Sequence, residues 1–365
     1  MRILLLGEYS NVHATLAKGL RRLGHEVTVV SNGDFWKNYP RDIDVSRRQG
    51  AWGGLGLMAK LACLLPRLRG YDVVQLINPM FVELKAERIF PLYACLRRFN
   101  GKMIMGAFGM DHYWVNECCQ RRHLRYSDFN IGDSLRNDAD ALKERHDWIG
   151  TEKERLNKLI ASDCDCIVAG LYEYWSCYEP CFHDKTTFIP YPIEMPKPHH
   201  VKDMSAGDGR LNIFIGINKE RSHYKGTDKM LEAAKEVAAR HADKCRLTVV
   251  ESVPFNEYQR LMDSADVMLD QLYSYTPSMN ALLAMSKGIV CVGGGEPESY
   301  EIISEGRLRP IVNVEPTYDS VLQQLERLVA DRKMVERLKA ESVEYVAKHH
   351  DYLKVAKSYA ALYET

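Results

Sequence analysis

The chain begins with the pattern that most restricts its fold, which is an apolar strand, a loop, an amphipathic helix and a second apolar strand. The strands are predicted at residues 2–6 and 25–31, and the helix at residues 12–23, where Gly24 ends it. Strands that are apolar along their whole length must be covered on both faces, which is typical of parallel pairing through a crossover helix. Further strands are predicted in YDVVQLI, GKMIMGAF and CDCIVAG. The first half of the chain therefore indicates an α/β domain.

A polar stretch rich in Pro and Gly interrupts this pattern at residues 196–210, and its composition predicts a linker between residues 1–195 and a second domain. The α/β pattern returns at residues 211–347, with strands in LNIFIGI, RLTVVES and ADVMLDQLY. Helices are predicted between them at residues 227–239 and 256–264. A length of 365 residues also favours two domains over one.

Two further helices close the chain, at residues 320–328 and from residue 334 to about 362. The second is expected to break at KHHD near Lys348, so that residues 348–365 pack back toward the first domain. We therefore predict two Rossmann-like domains that face a cleft. Ligands of parallel sheets bind at the carboxyl ends of the strands, and small-molecule sites favour domain interfaces.

Composition excludes several other classes. Lys plus Arg and Asp plus Glu both number 49, so no net charge attracts nucleic acid. No apolar run is long enough to span a membrane, and MRILLLGEYS is too short for a signal peptide. We expect a cytoplasmic protein whose ten cysteines are thiols. Cys177, Cys181 and His183 lack the second ligand pair of a zinc site, so no metal site is predicted.

One stretch, from Ser274 to Gly295, contains no Asp or Glu. Thr276 is a good N-cap and Pro277 suits a first helical position, so a helix is predicted to begin there. Its first amides and its dipole make a phosphate site, which acids would disturb. The alternative is a helix that only packs its apolar face on the sheet. The amides expected to bind the donor belong to Ser278, Met279 and Asn280.

A basic loop supplies a second phosphate signal. It follows the strand LNIFIGI and carries Lys219, Arg221, His223 and Lys225 before Gly226 leads into a helix. Permanent cations at the end of a strand suit a diphosphate. A solvated surface loop is the alternative, and the helix start in the same half favours the phosphate site.

A glycine-rich turn, VGGGEPESYEI, follows the strand at residues 290–292. Gly294 and Gly295 allow a backbone to approach a ligand closely. Glu298 and Glu301, with Glu296, can accept hydrogen bonds from sugar hydroxyls. A plain turn is the alternative.

The order of these parts resembles a known family. The stretch ADVMLDQLYSYTPSMNALLAMSKGIVCVGGGEPESYEII, with the basic loop and KG before it, is similar to the donor-binding half of GT-B glycosyltransferases, especially glycosyltransferase family 4. LAKGLRRLGHEVTVV and FIPYPI resemble that family's first helix and second strand and its exit into the linker. The resemblance covers nearly the whole chain.

Two departures from the family pattern concern acids. The family has an acid pair whose positions hold Tyr275 and Leu283 here, and the second acid normally binds the ribose hydroxyls. Glu298, or Glu301 in the register of the family's final acid, is the candidate substitute. Lys225 keeps the family's lysine position, whereas the family's arginine falls at Ile217. Lys219 or Arg221 is expected to replace its charge.

The resemblance implies a hexosyltransferase-like enzyme that moves a sugar from a UDP- or GDP-linked donor to a glycan or lipid-linked acceptor, in polysaccharide or glycan synthesis. Negative charge on the departing diphosphate would be stabilised by Lys225 with Arg221 or Lys219, and by the amides of Ser278 and Met279. No metal and no cofactor beyond the nucleotide sugar is then needed. DCD at residues 163–165 is similar to the pair of acids that holds a metal ion in the other glycosyltransferase fold. It precedes a predicted strand rather than following one, which favours its interpretation as the polar beginning of that strand.

The first domain is expected to carry the acceptor, and the resemblance favours retention of stereochemistry, which needs no dedicated base. Residues after two predicted strands face the acceptor side. They are Ser10, Asn11 and His13, and the candidate bases Asp111 and His112. The basic and aromatic segments LMAKLACLLPRLRG and CCQRRHLRY suit an anionic membrane surface near a lipid-linked glycan. An amphipathic core helix and a basic loop are the alternative.

Three other functions compete. A nucleotide-sugar epimerase on the same fold needs acids that move protons, which the acid-free stretch disfavours. A nicotinamide oxidoreductase is disfavoured because the first strand is followed by GEYSNV rather than a G-x-G-x-x-G turn. The third is a nucleotide-sugar-binding protein without catalysis, which the loss of both family acids favours.

Overall fold

The computed structural model describes residues 1–50, 52–196, 208–217, 222–251, 253 and 255–365. They divide into two compact units. The first unit holds Met1–Gln120, Lys143–Pro192 and Tyr352–Thr365, and the second holds Arg121–Leu142 and Ile193–Asp351. The expected linker lies mostly outside the described residues.

The elements up to residue 196 alternate between strands and helices. They are β1 (Arg2–Leu6), α1 (Val12–Arg22), β2 (Glu26–Ser31), β3 (Ile43–Asp44), α2 (Gly53–Leu64), β4 (Val73–Leu76), α3 (Ala86–Phe99), β5 (Lys102–Ala107), α4 (His112–Gln120), β6 (Asn130–Ile131), β7 (Ser134–Leu135), α5 (Ala139–Trp148), α6 (Glu152–Asp163), β8 (Cys166–Ala169), α7 (Tyr172–Tyr178) and β9 (Thr186–Phe188).

The first unit is built on a parallel sheet in which the described strands follow the order β3-β2-β1-β4-β5-β8-β9. Ile3 pairs with Val27 on one side and with Val73 on the other. Ile3 to Leu6 are buried, as a strand covered on both faces requires. This confirms the α/β sheet predicted from the first residues of the chain.

Elements after residue 207 repeat the alternation. They are β10 (Leu211–Ile217), α8 (Ser222–Lys225), α9 (Thr227–Arg240), β11 (Cys245–Glu251), α10 (Phe255–Met262), β12 (Val267–Leu269), α11 (Met279–Ser286), β13 (Val290–Gly293), α12 (Pro297–Glu301), β14 (Val312–Asn313), α13 (Tyr318–Ala330), α14 (Arg332–His349) and α15 (Tyr352–Glu364).

The second unit has its own parallel sheet, with the described strands in the order β11-β10-β12-β13-β14. Met230 and Val237 of α9 pack on one face of this sheet with Leu325 of α13. Met262 of α10 and Ala284 of α11 pack on the other face. Helices therefore cover both faces, which confirms a second Rossmann-like domain.

The end of the chain belongs to the first unit. The predicted break near Lys348 falls between α14 and α15, at His350 and Asp351. Helix α15 packs on α1, where a Cβ at Gly19 would lie 2.6 Å from Cβ of Ala356. The Tyr363 hydroxyl also donates a hydrogen bond to Gln75 Oε1 at 2.6 Å.

The segment Arg121–Leu142, which the sequence analysis placed within residues 1–195, groups with the second unit. It contains the antiparallel hairpin β6–β7, in which Asn130 pairs with Leu135. Its contacts with the second unit concern the candidate site and are described there.

Candidate functional site

The predicted basic loop begins where β10 ends at Ile217. Residues 218–221, and with them the candidates Lys219 and Arg221, lie outside the described residues. Lys225 ends α8, and its carbonyl accepts a hydrogen bond from the amide of Leu272 at 3.0 Å. Gly226 has a φ of +70°, and a Cβ there would lie 2.6 Å from Cβ of Leu272. Glycine at this position thus lets the Lys225 backbone pack against the loop that follows β12.

Helix α11 begins two residues later than the sequence suggested. Its N-cap is Ser278, whose Oγ accepts a hydrogen bond from the amide of Ala281 at 3.2 Å. The predicted cap, Thr276, and the predicted first helical residue, Pro277, both precede it. The prediction of the helix itself is confirmed, and its first turn carries no acidic residue.

An acid nevertheless lies at this helix start in space. Asp270 follows β12, and its carboxylate accepts two hydrogen bonds from Ser278, from the amide at 2.9 Å and from Oγ at 2.6 Å. Burial raises the pKa of Asp270, while these hydrogen bonds and the charge of Lys225 act to lower it. The view that acids are excluded from this place is therefore wrong, because the chain folds Asp270 onto it from outside the acid-free stretch.

Asp270 also shows which groups converge. The Lys225 charge acts on the same carboxylate that binds Ser278, so Lys225 and the start of α11 lie near the same acid, which follows β12. The Ser278 amide is already bound to Asp270. Among the described residues, no acceptor binds the amides of Met279 and Asn280, and both residues are half-buried. These two amides are the anion-binding groups left at the helix start.

The glycine-rich turn packs against protein. A Cβ at Gly294 would lie 2.2 Å from the carbonyl oxygen of Ser274 and 2.9 Å from the amide nitrogen of Thr276. A Cβ at Gly295 would lie 2.8 Å from the Ile311 side chain. These contacts require glycine whether or not a ligand is bound, so the glycines do not by themselves indicate a ligand.

The acids of this turn are bound to Arg125, which the sequence analysis did not select. Arg125 Nη1 lies 2.6 Å from Glu298 Oε1, and Arg125 Nη2 lies 2.6 Å from Glu296 Oε2. The Tyr126 hydroxyl donates to the other oxygen of Glu296. Burial acts to raise the pKa of Glu298, but the hydrogen bond from Arg125, a backbone hydrogen bond and the Arg125 charge together lower that pKa. Glu301 is exposed.

Tyr275 and Leu283, which replace the family's acid pair, have packing roles. The Tyr275 hydroxyl accepts a hydrogen bond from the amide of Arg125 at 2.6 Å. The Arg125 guanidinium lies 5.0 Å from the centre of the Tyr275 ring. Leu283 packs against the apolar cluster that includes Phe214 and Met262. Neither position offers a carboxylate to a ribose.

A second arginine of the same segment holds the basic loop. Arg136 Nη2 donates to the carbonyl of His223 at 3.0 Å, and Nη1 donates to the carbonyl of Tyr224 at 3.1 Å. Its guanidinium lies 3.9 Å from the centre of the Tyr273 ring. Arg136 is buried, so these contacts fix the backbone immediately before Lys225.

The predicted acceptor-side residues form the loop between β1 and α1 in the first unit. Ser10 and Asn11 have φ values of 52° and 71°, and the Ser10 amide donates to Asp34 Oδ2 at 2.8 Å. His13 is buried, with Nδ1 2.8 Å from the Gly7 carbonyl. Burial lowers the pKa of His13 to about 4, so it is neutral at pH 7.

The candidate bases lie inside the first unit. Asp111 is buried and accepts hydrogen bonds from the Trp114 amide at 2.9 Å and the Tyr178 hydroxyl at 2.7 Å. Burial raises its pKa to about 7, while these hydrogen bonds act to lower it. Burial also lowers the pKa of His112, although Glu154 acts to raise it. Both side chains are thus held at the start of α4 by protein partners.

Glu8, which the sequence analysis did not select, fills the N-terminus of α1. Its carboxyl group accepts hydrogen bonds from the amides of His13 at 3.3 Å and Ala14 at 2.8 Å. Burial raises the pKa of Glu8 to about 8 against these hydrogen bonds. Glu8 also lines a cavity of about 340 Å³ with Met80 and Trp148. A protein carboxyl thus occupies the place where a dinucleotide phosphate binds in many Rossmann folds, consistent with the missing glycine motif.

The described part of the chain contains no group of three or more His, Cys, Asp or Glu side chains arranged to hold a metal ion. None of its helices combines the length and the apolarity needed to cross a membrane.

Each unit is a parallel sheet with covering helices, and together they are the two Rossmann-like domains of the GT-B fold. Sucrose-phosphate synthase from Thermosynechococcus elongatus is similar over 100% of this chain and 98% of its own, with a TM-score of 0.62 and 14% identity. HepE from Anabaena, solved with UDP and glucose, is similar over 99% of both chains, with a TM-score of 0.61 and 12% identity.

A putative UDP-N-acetylglucosamine 2-epimerase from Listeria monocytogenes is also similar. It covers 99% of this chain and 94% of its own, with a TM-score of 0.57 and 10% identity. No protein-family model and no curated protein matches the chain. At these identities the likeness establishes the fold, and the activity has to be argued from the site.

Proposed function

We propose that this protein is a glycosyltransferase that moves a sugar from a UDP- or GDP-linked donor to a glycan or lipid-linked acceptor. One observation carries the proposal. Lys225 and the start of α11 meet at Asp270, with the amides of Met279 and Asn280 open to an anion within the described part of the second unit. A cation and helix amides at the carboxyl ends of parallel strands suit a diphosphate.

The comparisons support the same donor class. HepE, which has this fold at 12% identity, was solved with UDP and glucose. A nucleotide sugar has the diphosphate that the Lys225 region suits and a ribose that Glu298 is proposed to bind once Arg125 releases it. The family resemblance supports a place in polysaccharide or glycan synthesis in the cytoplasm.

The proposed reaction breaks the bond between the sugar and the diphosphate and forms a bond from the same sugar carbon to an acceptor hydroxyl oxygen. The diphosphate leaves with the bonding electrons, so negative charge grows on it, and one of its oxygens then takes up the proton of the acceptor hydroxyl. Lys225 and the amides of Met279 and Asn280 would stabilise that charge, with further charge from Arg221 and Lys219. Because these groups supply the positive charge, we propose that the reaction needs no metal. Retention of stereochemistry follows from the family resemblance, and it needs no base from Asp111 or His112.

A first test is the shift in melting temperature caused by UDP and by GDP. At least one of them should raise it, because a ligand that binds the native state stabilises it. Released nucleotide is then measured with a panel of nucleotide sugars, with and without EDTA. EDTA should leave the rate unchanged. If neither nucleotide shifts the melting temperature, the proposed donor class is wrong.

Lys225→Ala tests the diphosphate site directly. Turnover should fall about 100-fold or more, because a cation that stabilises the leaving group is removed. Melting temperature should change little. Lys235→Ala on the exposed side of α9 is the matched control and should behave as the wild type. Unchanged turnover in Lys225→Ala would remove this residue from the mechanism.

Two other functions have specific support. The packing of Tyr275 and Leu283 in place of acids favours a nucleotide-sugar-binding protein without catalysis. The Listeria structure favours an epimerase. The same panel separates them, since an epimerase changes the sugar without releasing nucleotide, and a binding protein is stabilised by nucleotide but leaves the sugar unchanged.

A further inference from the structure

Helix α2 of the first unit has an apolar face that is exposed. Trp52, which precedes the helix, is 79% exposed, and Leu55 and Met58 are 47% and 38% exposed. On the other side of the helix Leu57 and Leu61 are buried. The same exposed side also carries small residues, which are Gly56, Ala59, Ala62 and Cys63. A surface helix of a globular protein normally has its polar side chains outward, so this face suits an apolar partner.

The segment before α2 also carries exposed aromatic side chains. Phe35 is 61% exposed and Trp36 is 64% exposed. Arg47 lies between this aromatic pair and α2 in the chain, and its Cγ is 3.4 Å from the Cβ position of Gly53 at the start of α2. We call the exposed face of α2, together with Trp52, the α2 surface.

The sequence around α2 is basic. Residues 45–71 contain no Asp or Glu and five basic residues, which are Arg47, Arg48, Lys60, Arg67 and Arg69. The acid that precedes this stretch, Asp44, is paired with Arg41 at 2.8 Å and with Lys60 at 3.7 Å. Arg47 lines a cavity with Glu83, Glu87 and Asp147, so the acids near this stretch come from other parts of the chain.

We propose that the α2 surface docks on an anionic lipid membrane. Trp side chains favour the interface between lipid and water, and apolar helix faces flanked by Lys and Arg bind anionic lipid. A second copy of this chain would place five basic residues against five, and that repulsion disfavours a dimer through this surface. The proposal rests on this surface alone and does not depend on sugar transfer.

Sedimentation with lipid vesicles tests the proposal. The full-length protein should bind vesicles containing phosphatidylglycerol and should bind pure phosphatidylcholine at least about tenfold more weakly, because several basic residues contribute near an anionic surface. Trp52→Ser with Leu55→Ser should reduce binding about tenfold or more through the loss of buried apolar area. The matched control is Leu159→Ser, at a leucine of α6 that is 44% exposed, and it should leave vesicle binding unchanged.

A charge variant completes the test. Arg48→Glu with Arg67→Glu should weaken binding to the anionic vesicles about tenfold or more. Lys357→Glu on the exposed side of α15 is its control and should have little effect. The proposal is overturned if the wild type binds neither vesicle. It is also overturned if the Trp52→Ser, Leu55→Ser variant binds vesicles as the wild type does. The same holds if the only effect of the variant is to make a dimeric wild-type protein monomeric, because the surface would then bind a second copy of this chain.

Discussion

At the scale of single residues, Asp270 determines which backbone amides at the start of α11 are available to an anionic ligand. Its carboxylate binds Ser278 through the amide and Oγ, and its pKa is raised because it is buried. A diphosphate near Lys225 would bind close to this carboxylate. The Asp270 charge therefore opposes the ligand that the helix amides and Lys225 favour.

Asp270→Asn separates these effects. The amide side chain can still accept from the Ser278 amide and donate to its Oγ, but the negative charge is gone. UDP or GDP should bind about tenfold more tightly, as expected for the loss of a nearby like charge. Calorimetric titration measures it, with Asp243→Asn at an exposed position as the control. Equal affinity in Asp270→Asn would mean that the phosphates bind elsewhere.

Glu8 gives the first unit a dependence on pH. Its ordinary pKa of 4.5 is raised to about 8 by burial, so the native state keeps a proton that the unfolded state loses between these values. The free energy of unfolding should therefore fall as the pH rises from about 5 to 8. Glu8→Gln should remove this contribution, on the order of 3–5 kcal/mol over that range.

Urea unfolding of both forms at pH 5 and pH 8 measures the effect. The difference between Glu8→Gln and the wild type should grow with pH in favour of the variant. Because His13 is present in both proteins, its own titration cancels in the comparison. A difference that stays constant with pH would show that Glu8 is ionised in the native state.

At the scale of elements, two of the four arginines in the segment Arg121–Leu142 contact the candidate site of the second unit. Arg125 neutralises Glu296 and Glu298, and Arg136 holds the carbonyls of His223 and Tyr224. Because Arg136 binds the backbone immediately before Lys225, we expect it to act by positioning Lys225. The hairpin is thus a structural support for the candidate donor site.

Arg136→Ala should lower kcat about 10- to 100-fold with a smaller change in KM for the donor, since hydrogen bonds from a charged group are lost and Lys225 shifts. Arg136→Lys keeps the charge but loses the planar stack on Tyr273, so it should restore only part of kcat. Arg337→Ala on the exposed side of α14 is the control. If Arg136→Ala and Arg136→Lys lower the melting temperature equally and leave kcat unchanged, a positioning role for Arg136 is contradicted.

The elements that the sequence predicted well are those with a strong apolar period. Helix α1 was predicted at residues 12–23 and ends at Arg22, and β10 matches LNIFIGI. The start of α11 was two residues early because Thr276 and Ser278 are both good caps. What selects Ser278 is its hydrogen bonds with Asp270, a contact that local sequence does not show.

The candidate site was less predictable for the same reason. Arg125 binds Glu296 and Glu298, which lie 171 and 173 residues later in the chain. Arg136 binds carbonyls 87 and 88 residues later. Only tertiary structure brings such groups together, so no spacing in the sequence marks them. The glycines and Lys225 were selected because they are adjacent to a predicted strand or helix.

At the scale of the whole molecule, the first unit needs the last helix of the chain. Gly19→Ala would place a Cβ 2.6 Å from Ala356 and 2.7 Å from the Tyr352 carbonyl, so α15 has to move away from α1. The free energy of unfolding of this variant should be lower than that of the wild type by about 1–3 kcal/mol. Gly56→Ala in α2 meets no atom within 4 Å and should stabilise by up to about 1 kcal/mol. Equal stability of the two variants, measured by urea unfolding, would contradict tight packing of α15 on α1.

The position of α15 has a consequence for how the protein is made. The first unit contains both Met1–Gln120 and Tyr352–Thr365, so a nascent chain on the ribosome lacks one of its helices until residues 352–364 have been synthesised. During most of synthesis, the α1 surface around Gly19 has no partner and is available to chaperones or to aggregation. The second unit ends at Asp351 and has all its residues earlier, so it can fold first, and the first unit is completed once α15 has been synthesised.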